Sequence, residues 1–205
     1  MLNDKGFDLW ADGYDESVGL SDEDNSYPFA GYKAVLNKIY GLVLRREKPR
    51  VLDVGFGTGT LASKLYERGC EVWGQDFSAR MIELARRKMP HAKLYQGDFS
   101  KGLAAPILNN DYDFIIATYS LHHLDYAGKV ALIQTLRRLL SKDGTLLIGD
   151  VAFETAGAQA RCREAAGNEW DDDEIYFVYD ELKRDFPEMT FEPLSHCAGL
   201  LTLGK

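Results

Sequence analysis

Between residues 28 and 149 the chain alternates between two hydrophobic rhythms. Phe29, Tyr32, Leu36, Ile39, Tyr40 and Val43 recur at helical intervals, which predicts a helix that Pro28 can begin and Pro49 ends. Arg50 to Val54 is short and mostly apolar and predicts a strand. Thr60 to Arg68 returns to helical spacing, closed by Gly69, and Glu71 to Gln75 predicts a second strand. Ser78 can cap a helix carrying Met81, Leu84, Ala85 and Lys88 that stops before Pro90. Lys93 to Tyr95 and Asp113 to Thr118 read as further strands. Leu132, Ile133, Leu136, Leu139 and Leu140 share one helix face, and Lys142-Asp143-Gly144 turns the chain into a fifth strand, Thr145 to Gly149.

Beyond residue 150 the alternation weakens. Gly157 to Gly167 and Glu174 to Asp185 look helical, and Thr190 to Leu194 with Gly199 to Leu203 look like a closing pair of strands. The repeated βα units imply an α/β fold: a doubly wound, mostly parallel sheet of seven strands, helices on both faces and an antiparallel C-terminal strand. Ligands of such sheets bind beyond the carboxyl ends of the strands, where the strand order reverses, so the site residues are expected just after strands.

At 205 residues one domain with one sizeable core is the expectation. It divides into an N-terminal helical cap segment (1–48), a cofactor-binding core (49–151) and substrate-side helices with closing strands (152–205). With 45% hydrophobic and 27% charged residues and no long apolar run, a membrane span is excluded from the reading. The start, MLNDKGFDLWADGYDE, is acidic where a secretory signal is basic and then apolar, so a cytoplasmic protein is expected. Cys70, Cys162 and Cys197 form no Cys-x-x-Cys pair and read as reduced, structural thiols. A formal net charge of -8 opposes a phosphate backbone, which makes nucleic acid an improbable partner.

Gly55, Gly57 and Gly59 lie in the turn from the first strand into the next helix, where missing Cβ atoms let the backbone approach a ligand. The order G-x-G-x-G puts Thr60 where a dinucleotide fingerprint has its third glycine, which speaks against a nicotinamide dehydrogenase. Asp53 adds a carboxylate at the mouth of the loop. It opposes a pyrophosphate and suits a ligand bearing an ammonium or sulfonium group. Asp76, at the end of the second strand, stands where doubly wound nucleotide sites place the acid for a ribose diol. Gly97-Asp98-Phe99 sets a short acceptor beside an aromatic ring, a pair that suits adenine.

VLDVGFGTG, the Asp76 acid in GQDFS, QGDF, the strand YDFIIATYSLHHL and LLSKDGTLLIGD together resemble, in order and spacing, the class I S-adenosylmethionine-dependent methyltransferases, whose fold is Rossmann-like. The opening WADGYDESV also resembles the N-terminal motif of small bacterial methyltransferases of unassigned substrate. The resemblance implies that Asp53 and Gly55 lie at the methionine part of S-adenosyl-L-methionine, that Gly57 and Gly59 shape the loop, and that Asp76 holds the ribose hydroxyls. It implies that Phe77 and Met81 flank the adenine, that Asp98 and the Phe99 N–H read its edge, that Tyr14 packs over the cofactor, and that Tyr119 and Ser120 line the wall near the methyl group. Two features depart from the family pattern. Phe56 is bulkier than the usual residue, and Thr118-Tyr119-Ser120-Leu121 stands where an Asn-Pro-Pro-Tyr motif marks methylation of amino groups on adenine or glutamine.

The implied activity is methyl transfer to a small-molecule acceptor by in-line displacement, in a monomer or homodimer. An RNA-modifying methyltransferase and a non-catalytic cofactor-binding regulatory module are the alternatives. An acid-base residue is optional in such a reaction, because alignment and water exclusion do most of the work. His122, Tyr119 and Glu154 are the candidates for one. His122 and His123 also invite a metal reading, but side chains on adjacent residues point apart while metal ligands converge, so no metal is expected. Trp170 to Glu174, with Tyr176, Phe177 and Tyr179 behind, reads either as a lid over the acceptor or as a solvated acidic helix start.

Overall fold

The apolar run after Pro49 forms β1 (Arg50–Val54), buried at four of its five positions, as a strand covered on both faces must be. The computed structural model describes residues 26–205. Tyr14 and the opening motif lie outside the described residues. After α1 (Tyr32–Val43) and β1 come α2 (Thr60–Glu67), β2 (Glu71–Asp76), α3 (Ala79–Lys88), β3 (Lys93–Gln96), the short α4 (Ala105–Leu108), β4 (Tyr112–Thr118), α5 (Tyr126–Arg138) and β5 (Leu140–Phe153). The chain closes with α6 (Ala156–Ala166), β6 (Phe177–Val178), α7 (Tyr179–Leu182), β7 (Thr190–Pro193) and β8 (Ala198–Gly204).

The sheet order is β3-β2-β1-β4-β5-β8-β7, with the two-residue β6 attached to β5 as an eighth strand. Strands β1 to β5 are parallel to one another, and β8 runs antiparallel to both β5 and β7. The order therefore reverses between β1 and β4, and the crevice beyond their carboxyl ends is where this topology puts a ligand. Alternate residues of each strand enter two apolar clusters. Val51, Val72, Ile116 and Leu147 face one side with α1, and Leu52, Trp73, Ile115 and Leu146 face the other with α5. No helix among the described residues is long and apolar enough to cross a membrane.

Three expected elements differ. The first helix starts at Tyr32 rather than Pro28, because Gly31 takes a left-handed φ of 81° that no helix can run through, and it stops at Val43, short of Pro49. Strand β5 begins at Leu140, and the Lys142-Asp143-Gly144 turn is a bulge within it: Tyr112 pairs with Leu140 while Phe114 pairs with Thr145. Glu174 to Asp185 is not one helix. Tyr176 and Phe177 are neighbours and both buried, which an extended backbone allows, and Phe177 pairs with Ala152 of β5. The Trp170 ring stacks on Tyr27 with centroids 5.1 Å apart and meets Tyr176 edge-on at 4.9 Å. Tyr27 and Tyr176 also share a hydroxyl hydrogen bond. These rings anchor the segment to the body, while Asp171 to Asp173 remain exposed.

Candidate active site

The three glycines of the loop take φ values of 74°, 55° and 76°, yet each has its own reason. A Cβ on Gly55 would sit 2.4 Å from Ser120 Cβ, and one on Gly59 would sit 2.9 Å from Met89 Cε. Those two let the loop pack against the turn after β4 and against the end of α3. At Gly57 a Cβ would meet nothing within 4 Å, so its bare backbone borders open space. That space is a cleft of about 700 Å³, open to solvent.

Asp76 stitches the loop to β2. Its carboxylate accepts the Gly57 N–H at 2.8 Å and the Ser78 N–H at 2.9 Å, while Ser78 itself caps α3 through the Met81 N–H. Asp53 lies on the neighbouring strand and is 2% exposed. Its Oδ1 meets no hydrogen-bond partner among the described residues. Burial first, and the nearby Asp76 second, push its carboxyl up to about 8. An acid left dry in this way is stabilised in ionised form by a cation or by hydrogen-bond donors placed beside it.

The cleft brings together Asp53, Gly55, Gly57, Asp76, Phe77 and Met81 on the β1–β2 side, with Phe99, Tyr119 and Ser120 opposite. Gly59 lies beneath the loop. Asp98 is not among the residues that line the cleft, and its carboxylate accepts from the Ser100 N–H at 2.9 Å and the Ser100 hydroxyl at 2.6 Å and pairs with Lys101 at 2.9 Å. Glu154 is exposed and outside the cleft, its carbonyl taken by the Asp180 N–H.

Of the two histidines, His123 lines the cleft and His122 stands behind it with Nδ1 2.6 Å from Asp150 Oδ1. Their rings do not point apart. The 3-10 turn Leu121–His123 leaves the ring centroids 4.3 Å from each other.

Tyr32, Phe56, Thr58, Thr60, Leu61 and Thr118 also line the cleft and were not among the site residues expected from sequence. Thr58 and Thr60 were readable, since one sits between two glycines of the loop and the other directly follows it, and Thr118 ends β4. Tyr32 carried no local signal and arrives through the packing of α1, its ring 5.0 Å from that of Tyr119. Phe56 fits because β2 has Gly74 opposite: a Cβ there would lie 2.6 Å from the Phe56 ring. The bulk at position 56 fills space left bare at position 74.

A family profile described as a methyltransferase domain matches residues 51–144. An uncharacterized methyltransferase of Geobacillus sp. (strain WCH70) is 35% identical over 193 residues, which cover 90% of this chain and 87% of that protein. The chain belongs to the class I S-adenosylmethionine-dependent methyltransferases. An uncharacterized methyltransferase of Anoxybacillus flavithermus (strain DSM 21510 / WK1) is 39% identical to this one over 147 residues, 72% of this chain and 66% of that protein. Among solved structures, the DhpI–SAH complex overlays this methyltransferase with a TM-score of 0.72 over 97% of this chain and 93% of that one, at 17% identity. The magnesium protoporphyrin IX methyltransferase ChlM from Synechocystis PCC 6803 with bound SAH does so with a TM-score of 0.66 over 86% and 84%, at 18% identity. At such identities the likeness is one of fold. The fold is the Rossmann-like one expected, and the cofactor of this methyltransferase is S-adenosyl-L-methionine.

Proposed function

We infer that this methyltransferase passes the methyl group to a small-molecule acceptor, with the cofactor seated over Gly57 and held through Asp53 and Asp76. The observation that carries the reading is Asp53, a buried carboxyl with one oxygen unsatisfied at the mouth of a glycine loop. The cofactor's amino group is a cation of the kind that would restore its charge. Bare space at Gly57 supports close backbone approach, and Asp76, already at the loop, offers carboxylate oxygens to a ribose diol. Phe77, Met81 and Phe99 supply the apolar and aromatic surface for adenine. Asp98, engaged by Ser100 and Lys101, is left without a role in this assignment.

When bound, the cofactor supplies an electrophilic methyl group on a positively charged sulfur. The chain's task is to align the acceptor and keep water away. The rings of Tyr32, Phe29 and Tyr119 pack together, with centroids 5.0 to 6.0 Å apart, and Tyr32 and Tyr119 wall the cleft beside Ser120 and His123. Among the described residues that line the cleft there is no Lys or Arg. Together with the net charge of -8, this favours an uncharged or cationic small molecule over RNA.

Isothermal titration with S-adenosylmethionine and with its demethylated product tests the cofactor assignment, and absence of binding by either overturns it. A panel of small acceptors set against RNA at low salt tests the acceptor class. Methylated RNA with salt-sensitive binding would replace the small-molecule reading.

A further inference from the structure

Glu174 comes from the segment between α6 and β6 and meets the two histidines that follow β4. Its Oε2 lies 3.1 Å from His123 Nδ1 and 3.4 Å from His122 Nε2. The three atoms all fall within 4.8 Å of one another. Behind them Asp150, fully buried, receives His122 Nδ1 at 2.6 Å, the Leu121 N–H at 3.2 Å and the Val151 N–H at 2.8 Å.

This pattern calls for positive charge between the His122 ring and Glu174, which either a second proton on the imidazole or a bound cation supplies. The two backbone groups on Asp150 are donors only, so Asp150 acts as an accepting carboxylate and His122 Nδ1 carries the proton. In a neutral imidazole Nε2 is then a lone pair. It faces the buried Glu174 Oε2, which His123 Nδ1 also approaches at 3.1 Å. A lone pair opposite a carboxylate oxygen repels unless positive charge lies between them. Two ligand atoms bound about 2.1 Å from one metal ion at tetrahedral or octahedral angles stand roughly 3.0–3.4 Å apart, which matches the two separations from Glu174 Oε2 to the histidine nitrogens. A buried carboxylate gripping the far nitrogen of an imidazole is also how metal-binding histidines are oriented. The neighbouring Lys129 Nζ donates its hydrogen bonds to the carbonyls of Leu124 and Ile175 and feels the charges of Asp150 and Glu174 only through space.

We propose that His122, His123 and Glu174 form a site for a divalent transition-metal ion, with zinc the best match to two imidazoles and a carboxylate, and with Asp150 positioning His122. His123 also lines the cofactor cleft, so the ion sits at its edge. There an oxygen or nitrogen donor of the acceptor can complete the coordination shell and be activated as a nucleophile. Metal binding is read without any methyl transfer, so this inference and the cofactor assignment stand or fall separately.

The test is titration of the chelator-stripped full chain with Co²⁺ as a visible probe, followed by displacement with Zn²⁺ and native mass spectrometry. One ion per chain with ligand-field absorption bands is expected. Glu174→Gln and His123→Ala, both at partly exposed side chains, are each expected to weaken binding at least tenfold. His91→Ala and His196→Ala, at the other two histidines, are expected to leave it unchanged. Circular dichroism verifies that each variant is folded. Absence of a stoichiometric ion overturns the proposal and assigns the cluster to a doubly protonated His122. Binding that survives both Glu174→Gln and His123→Ala, or that is lost on changing His91 or His196, overturns it as well.

Discussion

The Asp76 carboxylate accepts the Gly57 N–H at 2.8 Å, so the acid that ends β2 holds the glycine loop at the point where its backbone is bare. One side chain thus shapes the loop and offers oxygens to whatever the loop binds. Asp76→Ala removes charge-assisted hydrogen bonds of the kind that contribute about 1.5–3 kcal/mol each, so a lower unfolding temperature is expected. Affinity for the cofactor and its demethylated product is expected to fall at least tenfold in calorimetry. Unchanged affinity in a folded variant would reduce Asp76 to a structural brace.

Asp53 gives a pH signature. Its carboxyl is pushed from the ordinary 3.8 up to about 8, so between those values the folded chain keeps a proton that the unfolded chain releases. Stability contributed by this group is therefore present at low pH and lost as pH rises toward 8. Asp53→Asn is expected to raise the melting temperature of the cofactor-free chain more at pH 8 than at pH 5, and to weaken cofactor binding. In the unaltered chain, affinity for the cofactor is expected to increase with pH up to about 8, by at most roughly tenfold per unit. Proton release on binding at neutral pH, measured by calorimetry in buffers of different ionisation enthalpy, checks the sign.

Gly57→Ala and Gly55→Ala separate ligand contact from packing. At Gly57 the substitution meets no neighbour and adds only the left-handed strain, about 1–2 kcal/mol. It is expected to spare the fold and impair cofactor binding more than tenfold. At Gly55 the new methyl would lie 2.4 Å from Ser120 Cβ, and a much larger loss of thermal stability is expected. Equal melting temperatures for the two variants would contradict the geometry.

Gly74 and Phe56 are expected to be energetically coupled. Gly74→Ala places a methyl 2.6 Å from the Phe56 ring, an overpacking that costs about 1–3 kcal/mol. Pairing it with Phe56→Leu is expected to recover at least half of that loss in urea denaturation. Additive losses would show that the two positions do not share space.

Much of this architecture is legible in the chain because local and global signals agree from β1 to β5. Gly69, Ser78 and Pro90 mark helix ends that tertiary packing leaves almost unmoved. The reading loses force where side-chain pattern and backbone state separate. Tyr176 and Phe177 recur among polar residues like a helix face, but their burial is achieved by an extended segment paired with β5. The glycine loop announced a ligand site, whereas the different tasks of Gly55, Gly57 and Gly59 depend on neighbours distant in sequence. Lys129 gave no sign of being buried. It is 2% exposed, and burial lowers its ammonium to about 8. Nor does adjacency in sequence reveal that one tight turn brings His122 and His123 to the same carboxylate from β6's approach, since that depends on a segment some fifty residues away by chain.

Asp150 bonds both to its own strand and to the turn that leaves β4. The turn that carries the histidines beside the cleft is therefore pinned from behind by one buried carboxylate that belongs to the neighbouring strand. For anyone reshaping the cleft, trimming Tyr119 or Tyr32 alters its wall directly, whereas a change at position 150 acts at one remove, by loosening the hinge on which His122 and His123 hang.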